Sequence, residues 1–341
     1  MRLSLSWTRE APPVEQVSGS PSQSRKSFLS SPKLRRSPKT PVGAAPTIEE
    51  SPLQQKMLDW ATPSTEVMVS VQGKLECSIA TEGKARAMSF PLTHLAVTVL
   101  AFTMFEEGRF LLTHPVHRYL GPKWKKENLR VGEQPCLVDI TLHHLLTHSS
   151  GLASHPITAN SLQEFVDKLV DCALMFQPGE QYSLSPSTEV LGRITELVGR
   201  RTLEQLAQER VFSKLQMHTS TLVTSPSTGG YRTQLHASVG DGFGLMSALA
   251  SGGGTSSAQR VLGPKTIEWM MLNHLPRNNH HAEFGVGYGA LLGGATGKRW
   301  GWFEGNVQFW VDLEQQVVCM FVCDDDQDSR PKLIEVVHRI I

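Results

Sequence analysis

The stretch SFPLTHLAVTVLAFTMFEEGRF, residues 89–110, decides how the chain is to be read. Pro91 suits the first turn of a helix, where a missing N–H costs nothing, and Ser89 stands where a residue capping that turn would be. Leu92, Leu95, Ala96, Val99, Leu100 and Phe102 follow, and they fall on more than one helical face. A helix apolar all round has to be enclosed by other elements, so this segment predicts a central helix. Its apolar run stops at Glu106 and Glu107, short of a membrane span, and Gly108 ends it.

Working outward, Val67, Val69 and Val71 alternate with polar residues, Gln72-Gly73-Lys74 makes a turn, and Leu75 to Ala80 returns as a second strand. On the other side, residues 113–161 are rich in loop signals. Ser161 and Glu164 then form a capping box before Leu162, Phe165, Val166, Leu169, Val170 and Ala173, spaced as one helical face. A turn at Pro178-Gly179 precedes a second helical run, Val190 to Val198, closed by Gly199. Thr202 and Gln205 cap a third, reaching about Leu215. Strands return beyond residue 220: Phe284 to Leu292 reads as one, Val307, Phe309 and Val311 as the next, and Val317 to Cys323 as a nearly all-apolar partner. Lys332 to Ile341 predicts a closing helix. The fold class is therefore α/β (α+β): an antiparallel sheet built from both ends of the folded region, with flanking helices and an inserted all-helical region. The glycine-rich stretch 240–254 lacks the Lys-Ser/Thr ending of a phosphate loop.

Composition agrees with one folded body and a tail. The 341 residues are 40% hydrophobic and 19% charged, enough to bury a core. Residues 1–46 hold eight basic and two acidic side chains, so the net charge of +1 leaves the remainder mildly acidic, with no reason to expect a nucleic-acid partner. Residues 1–60 are assigned to a disordered, basic, Ser/Pro-rich tail or a targeting segment, and residues 61–341 to the domain. The tail's makeup suits an organelle transit peptide, or a solvated linker whose Ser-Pro pairs at 20–21, 31–32 and 37–38 are open to phosphorylation. The compartment is left open between cytoplasm and an organelle, and a soluble chain without a transmembrane segment is expected. Five scattered cysteines, without a CxxC pair, suggest buried thiols in a reducing compartment, and no cofactor is implied.

FEEGRF (105–110), HPVHRYLG (114–121), ITLHHLLTHSSGL (140–152), PGEQYS (178–183), VLGRI (190–194), VFSKLQM (211–217), TIEWMMLNHLP (266–276), FGVGYG (284–289) and VDLE (311–314) occur in this order. In that order they resemble the serine β-lactamase and penicillin-binding-protein family, in the branch of class C β-lactamases and related esterases, over roughly 64–341. The resemblance implies a sheet domain with an all-helical insertion and three motifs around one cleft. The first is Ser-x-x-Lys on the central helix, where the Lys helps take the proton of the attacking Ser. Counted back from Glu106-Glu107-Gly108, its Ser position is Pro91 and its Lys position is His94. Elsewhere Ser-x-x-Lys occurs only at Ser30 to Lys33 and Ser329 to Lys332, neither opening an enclosed helix. The second motif, Tyr-x-Asn, corresponds to Tyr182-Ser183-Leu184-Ser185-Pro186. Ser183 or Leu184 takes the Tyr position and Ser185 or Pro186 the Asn position, unless Tyr182 substitutes with a register shift. The third, Lys-x-Gly or His-x-Gly, becomes Arg299-Trp300-Gly301, which keeps a cation for a carboxylate and a glycine for close approach.

Two functions are carried forward. In one, the acyl-transfer centre is dismantled and the cleft binds a small acyl or peptide ligand, or nothing. In the other, the chain is an active hydrolase of esters, amides or β-lactams with a displaced nucleophile, Ser89 or Ser183, and His94 as base. His143, His144 and His148 lie close in sequence, but no Asp, Glu or Cys joins them at ligand spacing, so they are assigned structural hydrogen bonds rather than a metal.

Overall fold

The computed structural model describes residues 51–58, 65–80, 90–227, 230–254, 259–275, 284–293, 298–302 and 307–323, all within one unit. Of the tail expected over 1–60, residues 1–50 and 59–60 lie outside these residues, as does the helix expected at 332–341. Helix α1 (Pro52–Leu58) falls in the stretch assigned to the tail, yet buries Leu53 and Met57 against the sheet, so the folded body begins before residue 61. Strands β1 (Thr65–Val71) and β2 (Lys74–Ala80) form the expected hairpin, turning at Gln72 and Gly73, both at positive φ. Helix α2 (Phe90–Glu106) is the expected central helix, and every described side chain from Leu92 to Met104 is buried.

The region after α2 carries short elements: α3 (His117–Leu120), the two-residue strands β3 (Arg130–Val131) and β4 (Gln134–Pro135), and α4 (Leu142–Leu146). Helix α5 (Leu162–Leu169) starts at Ser161, whose Oγ accepts from the Glu164 N–H at 3.1 Å. The reciprocal half of the expected box shifts by one residue: Glu164 Oε2 accepts from the Asn160 N–H. Helix α6 (Ser187–Gly199) ends as the sequence predicts, but the left-handed residue is Arg200, φ 56°. Thr202 and Gln205 make a full capping box on α7 (Leu203–Ala207), which runs through a π turn (Gln208–Phe212) into α8 (Ser213–Leu215).

A hairpin of β5 (Thr221–Ser227) and β6 (Gly230–His236) follows, then α9 (Val239–Ala250) and α10 (Pro264–Met270). The glycine-rich stretch is thus mostly helix. Gly242 lets α9 lie close to the sheet, because a Cβ there would sit 2.8 Å from Met320 Cε and 2.9 Å from Leu92 Cδ2. The single strand expected over 284–292 is instead a tight pair, β7 (Gly285–Val286) and β8 (Leu291–Gly293). Residues 287–290 form the bend between them, with Gly289 at φ 90°. Strands β9 (Arg299–Trp302), β10 (Val307–Asp312) and β11 (Val317–Cys323) complete an antiparallel sheet of order β2-β1-β11-β10-β9-β8-β7.

The order confirms a sheet made from both ends of the folded region, with β11 beside β1. Alternation along β11 explains its apolar sequence. Val318, Met320 and Val322 join the core that holds α2 and α9, while Val317, Cys319 and Phe321 join the cluster holding Leu53 and Met57 of α1. A strand covered on both faces has no polar side to show. The sheet edges are blunted: Ser51 Oγ donates to the Glu76 carbonyl at 2.6 Å on β2, and the His274 N–H donates to the Val286 carbonyl at 2.8 Å on β7. Because Leu100 is fully enclosed, Leu100→Ala is expected to cost about 2–5 kcal/mol. A lowered denaturant midpoint with an unchanged slope is the signature, and a loss below ~1 kcal/mol would show that α2 is not closely packed.

Candidate functional site

The second turn of α2 meets the first turn of α6. His94 Nδ1 lies 2.9 Å from Thr188 Oγ1, and both side chains are buried. Behind them the His148 ring packs on His94, centroids 4.1 Å apart and planes tilted by 45°. His148 adopts φ 50°, uncommon for a residue with a Cβ, and the 183–187 segment closes against it, the Ser183 N–H donating to the His148 carbonyl at 2.9 Å. Tyr182 stands edge-on to His148 at 6.2 Å and to Phe284 at 5.7 Å. Beside this group lies a run of buried hydroxyls, with Ser187 Oγ 2.8 Å from Ser185 Oγ and 2.9 Å from Ser150 Oγ.

Burial sets the electrostatics. Enclosure pushes the His94 imidazole down to about 4, against a smaller upward pull from the Leu146 carbonyl, and holds His148 well below its ordinary value, with His94 adding to the effect. Both are neutral at pH 7. Glu189, next to Thr188, is also buried and shifted the other way, its carboxyl raised by burial while Oε1 accepts from the Thr233 N–H at 3.1 Å.

Of the residues singled out in the sequence, the structure brings together His94, Tyr182, Ser183 and Ser185, joined through His148 and the start of α6. Pro91 takes its place in the first turn of α2. Ser89 lies outside the described residues. Arg299 and Gly301 are not brought to His94. They alternate with Trp300 and Trp302, and the two tryptophans share the core with α2, whereas Arg299 Nε donates to Asp312 Oδ2 at 2.5 Å on the face that carries Trp310. The glycine has a strand-packing reason: a Cβ on Gly301 would lie 2.2 Å from the Phe309 carbonyl oxygen of β10. The three nearby histidines go separate ways. His143 Nδ1 meets Tyr288 Oη at 2.8 Å, His144 Nδ1 accepts from the Thr141 N–H at 3.2 Å, and His148 packs on His94. Among the described residues no cluster of three or more His, Cys, Asp or Glu side chains could hold a metal ion.

Sequence reasoning passed over Thr188 and the pairing of His148 with His94. Thr188 carries no motif; only the facing of α6 on α2 makes it a partner. Chemically, a neutral imidazole beside a hydroxyl has the form of a base and nucleophile. Here the hydroxyl has no exposed surface, and the imidazole, at about 4, is a weak base near neutral pH.

A two-ended antiparallel sheet backed by a buried helix, with helical elements inserted between its strands, is the architecture of β-lactamases and transpeptidases. The chain belongs to the β-lactamase family, whose model, described as Beta-lactamase, matches residues 93–339. A lovastatin esterase of Penicillium rubens is 29% identical over 185 residues, which cover 48% of this chain and 46% of the esterase, so the chain spans less than half the length of that relative. Among solved structures, a putative β-lactamase of Bacteroides dorei superposes with a TM-score of 0.66 at 17% identity, over 86% of this chain and 99% of its own. A penicillin-binding protein of Bacillus halodurans gives 0.63 at 16%, over 85% and 99%. The unliganded simvastatin synthase of Aspergillus terreus gives 0.63 at 16%, over 84% and 94%. Among the described residues no helix is long and apolar enough to cross a membrane.

Two outcomes follow from this geometry. Thr188→Val keeps the side chain's shape and removes the hydroxyl facing His94, so stability is expected to fall by about 1–3 kcal/mol, read by chemical denaturation. An unchanged midpoint would mean that this hydrogen bond contributes nothing. The second concerns pH. The unfolded chain takes up protons on His94 and His144 near pH 6.5, but the fold holds both down to about 4. Stability is therefore complete above that unfolded value and is lost as pH falls toward 4, by up to ~1.4 kcal/mol per pH unit for each such imidazole. Urea midpoints at pH 7.5 and 5.5 check this; equal midpoints would contradict buried, neutral histidines.

Proposed function

We propose that this chain keeps the β-lactamase fold but not its covalent acyl-transfer chemistry, and that its cleft holds a small acyl or peptide ligand without forming a bond to it. The observation that carries the proposal is the state of His94. At the position where the family resemblance expects the lysine that helps activate the serine, there is an enclosed neutral imidazole, tied to Thr188 and covered by His148. Three residues earlier stands Pro91, which has no hydroxyl to attack with. Ser183 or Leu184 at the position matched to Tyr, and Ser185 or Pro186 at that matched to Asn, supply neither a phenol nor an amide unless Tyr182 substitutes with a register shift, and Ser185 is itself buried in the hydroxyl run. Losing nucleophile and base together removes the covalent route, and whatever donors remain could give only residual acceleration. A ligand at this place would meet the half-buried Tyr182 and the exposed Leu184. Arg299, occupied by Asp312, would serve the sheet rather than the ligand.

A second reading has one observation in its favour, the likeness to a lovastatin esterase over 185 residues. On that reading the chain hydrolyses esters, amides or β-lactams through Ser89 or Ser183. Treatment with a fluorophosphonate probe and with a labelled penicillin separates the two. We expect no covalent adduct and no hydrolysis of a chromogenic ester above the rate of the unfolded chain. An adduct mapped to Ser89 or Ser183, together with activity abolished by the matching serine-to-alanine change, would overturn the proposal.

A further inference from the structure

We propose that the surface formed by residues 122–130, 135–138 and 174–177 docks on a lipid bilayer carrying anionic headgroups. Between Arg118 and Arg130 the chain holds five basic side chains and a single acidic one, Glu127. Lys123, Lys125 and Arg130 are exposed, and none of the ion pairs among the described residues involves them. Of the acids just beyond, Glu133 is exposed, while Asp139 is engaged by the Lys126 N–H at 3.1 Å and by His117.

Exposed aliphatic side chains stand beside this charge. Leu137 is 64% exposed, Val138 46% and Met175 47%. Backbone and side-chain bonds join these segments: Lys126 Nζ donates to the Leu137 carbonyl at 3.2 Å, Gln177 Oε1 accepts from the Leu137 N–H at 2.9 Å, and the Leu174 N–H donates to the Arg130 carbonyl at 2.7 Å. The apolar tips are thus held out in water by a polar frame, next to unneutralised lysine and arginine.

That combination fits a membrane surface, where lysines and arginines gain from anionic headgroups while aliphatic side chains enter the acyl boundary. A nucleic acid would use the charge but leave the aliphatic side chains wet, and the tryptophan within the basic run, Trp124, is buried and cannot stack on a base.

The test uses the full-length chain with Leu137→Trp and vesicles of phosphatidylcholine, with or without about 30% phosphatidylglycerol. Relative to wild type, the introduced indole should shift to the blue and be quenched by acyl-brominated lipid on anionic vesicles only, and the response should vanish in about 0.5 M NaCl. Adding Lys123→Glu, Lys125→Glu and Arg130→Glu should weaken binding at least about tenfold at unchanged Tm. Vesicle binding with a silent indole would place attachment elsewhere, such as the basic N-terminal segment, and would overturn the proposal. So would charge reversal without effect, or salt-sensitive binding to RNA with none to vesicles.

Discussion

Enclosure of α2 on all its faces is the constraint on which the rest depends. From Leu92 to Met104 this helix shows no described side chain to water, so it needs cover from α6, α7 and β6 and from the core it shares with the sheet. Hydrophobic burial can supply that cover cheaply along most of the helix, but the sequence also places Thr93 and His94 near its start. Each buried polar group then needs a partner. Thr93 Oγ1 accepts from the Leu235 N–H of β6 at 2.9 Å, and His94 meets Thr188 of α6. The two polar side chains at the helix start therefore fix the elements on either side of it.

The same constraint shapes the chemistry. A base that works near neutral pH needs some contact with water or with a charge to hold a proton. Burial pushes His94 down to about 4, and His94 in turn adds to the lowering of its neighbour His148. Thr188 has a hydroxyl at the right distance for proton transfer, but it is held inside the helix junction, where no carbonyl can reach it. His94 and Thr188 together form a buried polar contact between α2 and α6.

Most of the fold could be read from the amino acids because its signals are local. The hairpin 65–80 follows from valine alternation and a turn, α2 from an apolar run with Pro91 at its first turn, and α7 from the Thr202 and Gln205 box. Signals that depend on distant neighbours were not legible. Residues 284–292 are apolar enough for one strand, and only the turn at 287–290 makes them two. The glycine-rich stretch 240–254 gives no sign of helix α9, whose Gly242 admits Met320 and Leu92. At the site, the meeting of Thr188 with His94 was not legible, because it arises from which face of α6 meets α2. Arg299-Trp300-Gly301 looks like a preserved motif as a string of letters. The period-two alternation of β9 sends its arginine to Asp312, away from His94.

The central claim is that a neutral, water-excluded imidazole occupies the position of the family's reactive lysine. Nitrogen-15 NMR of the histidine rings, with His94 assigned by substitution, tests it most directly. At pH 5.5 the account predicts one neutral tautomer for His94, unchanged from pH 7.5. A His94 ring that titrates between those values, with midpoint near the ordinary histidine value of about 6.5, would contradict the account and return a working base to the cleft.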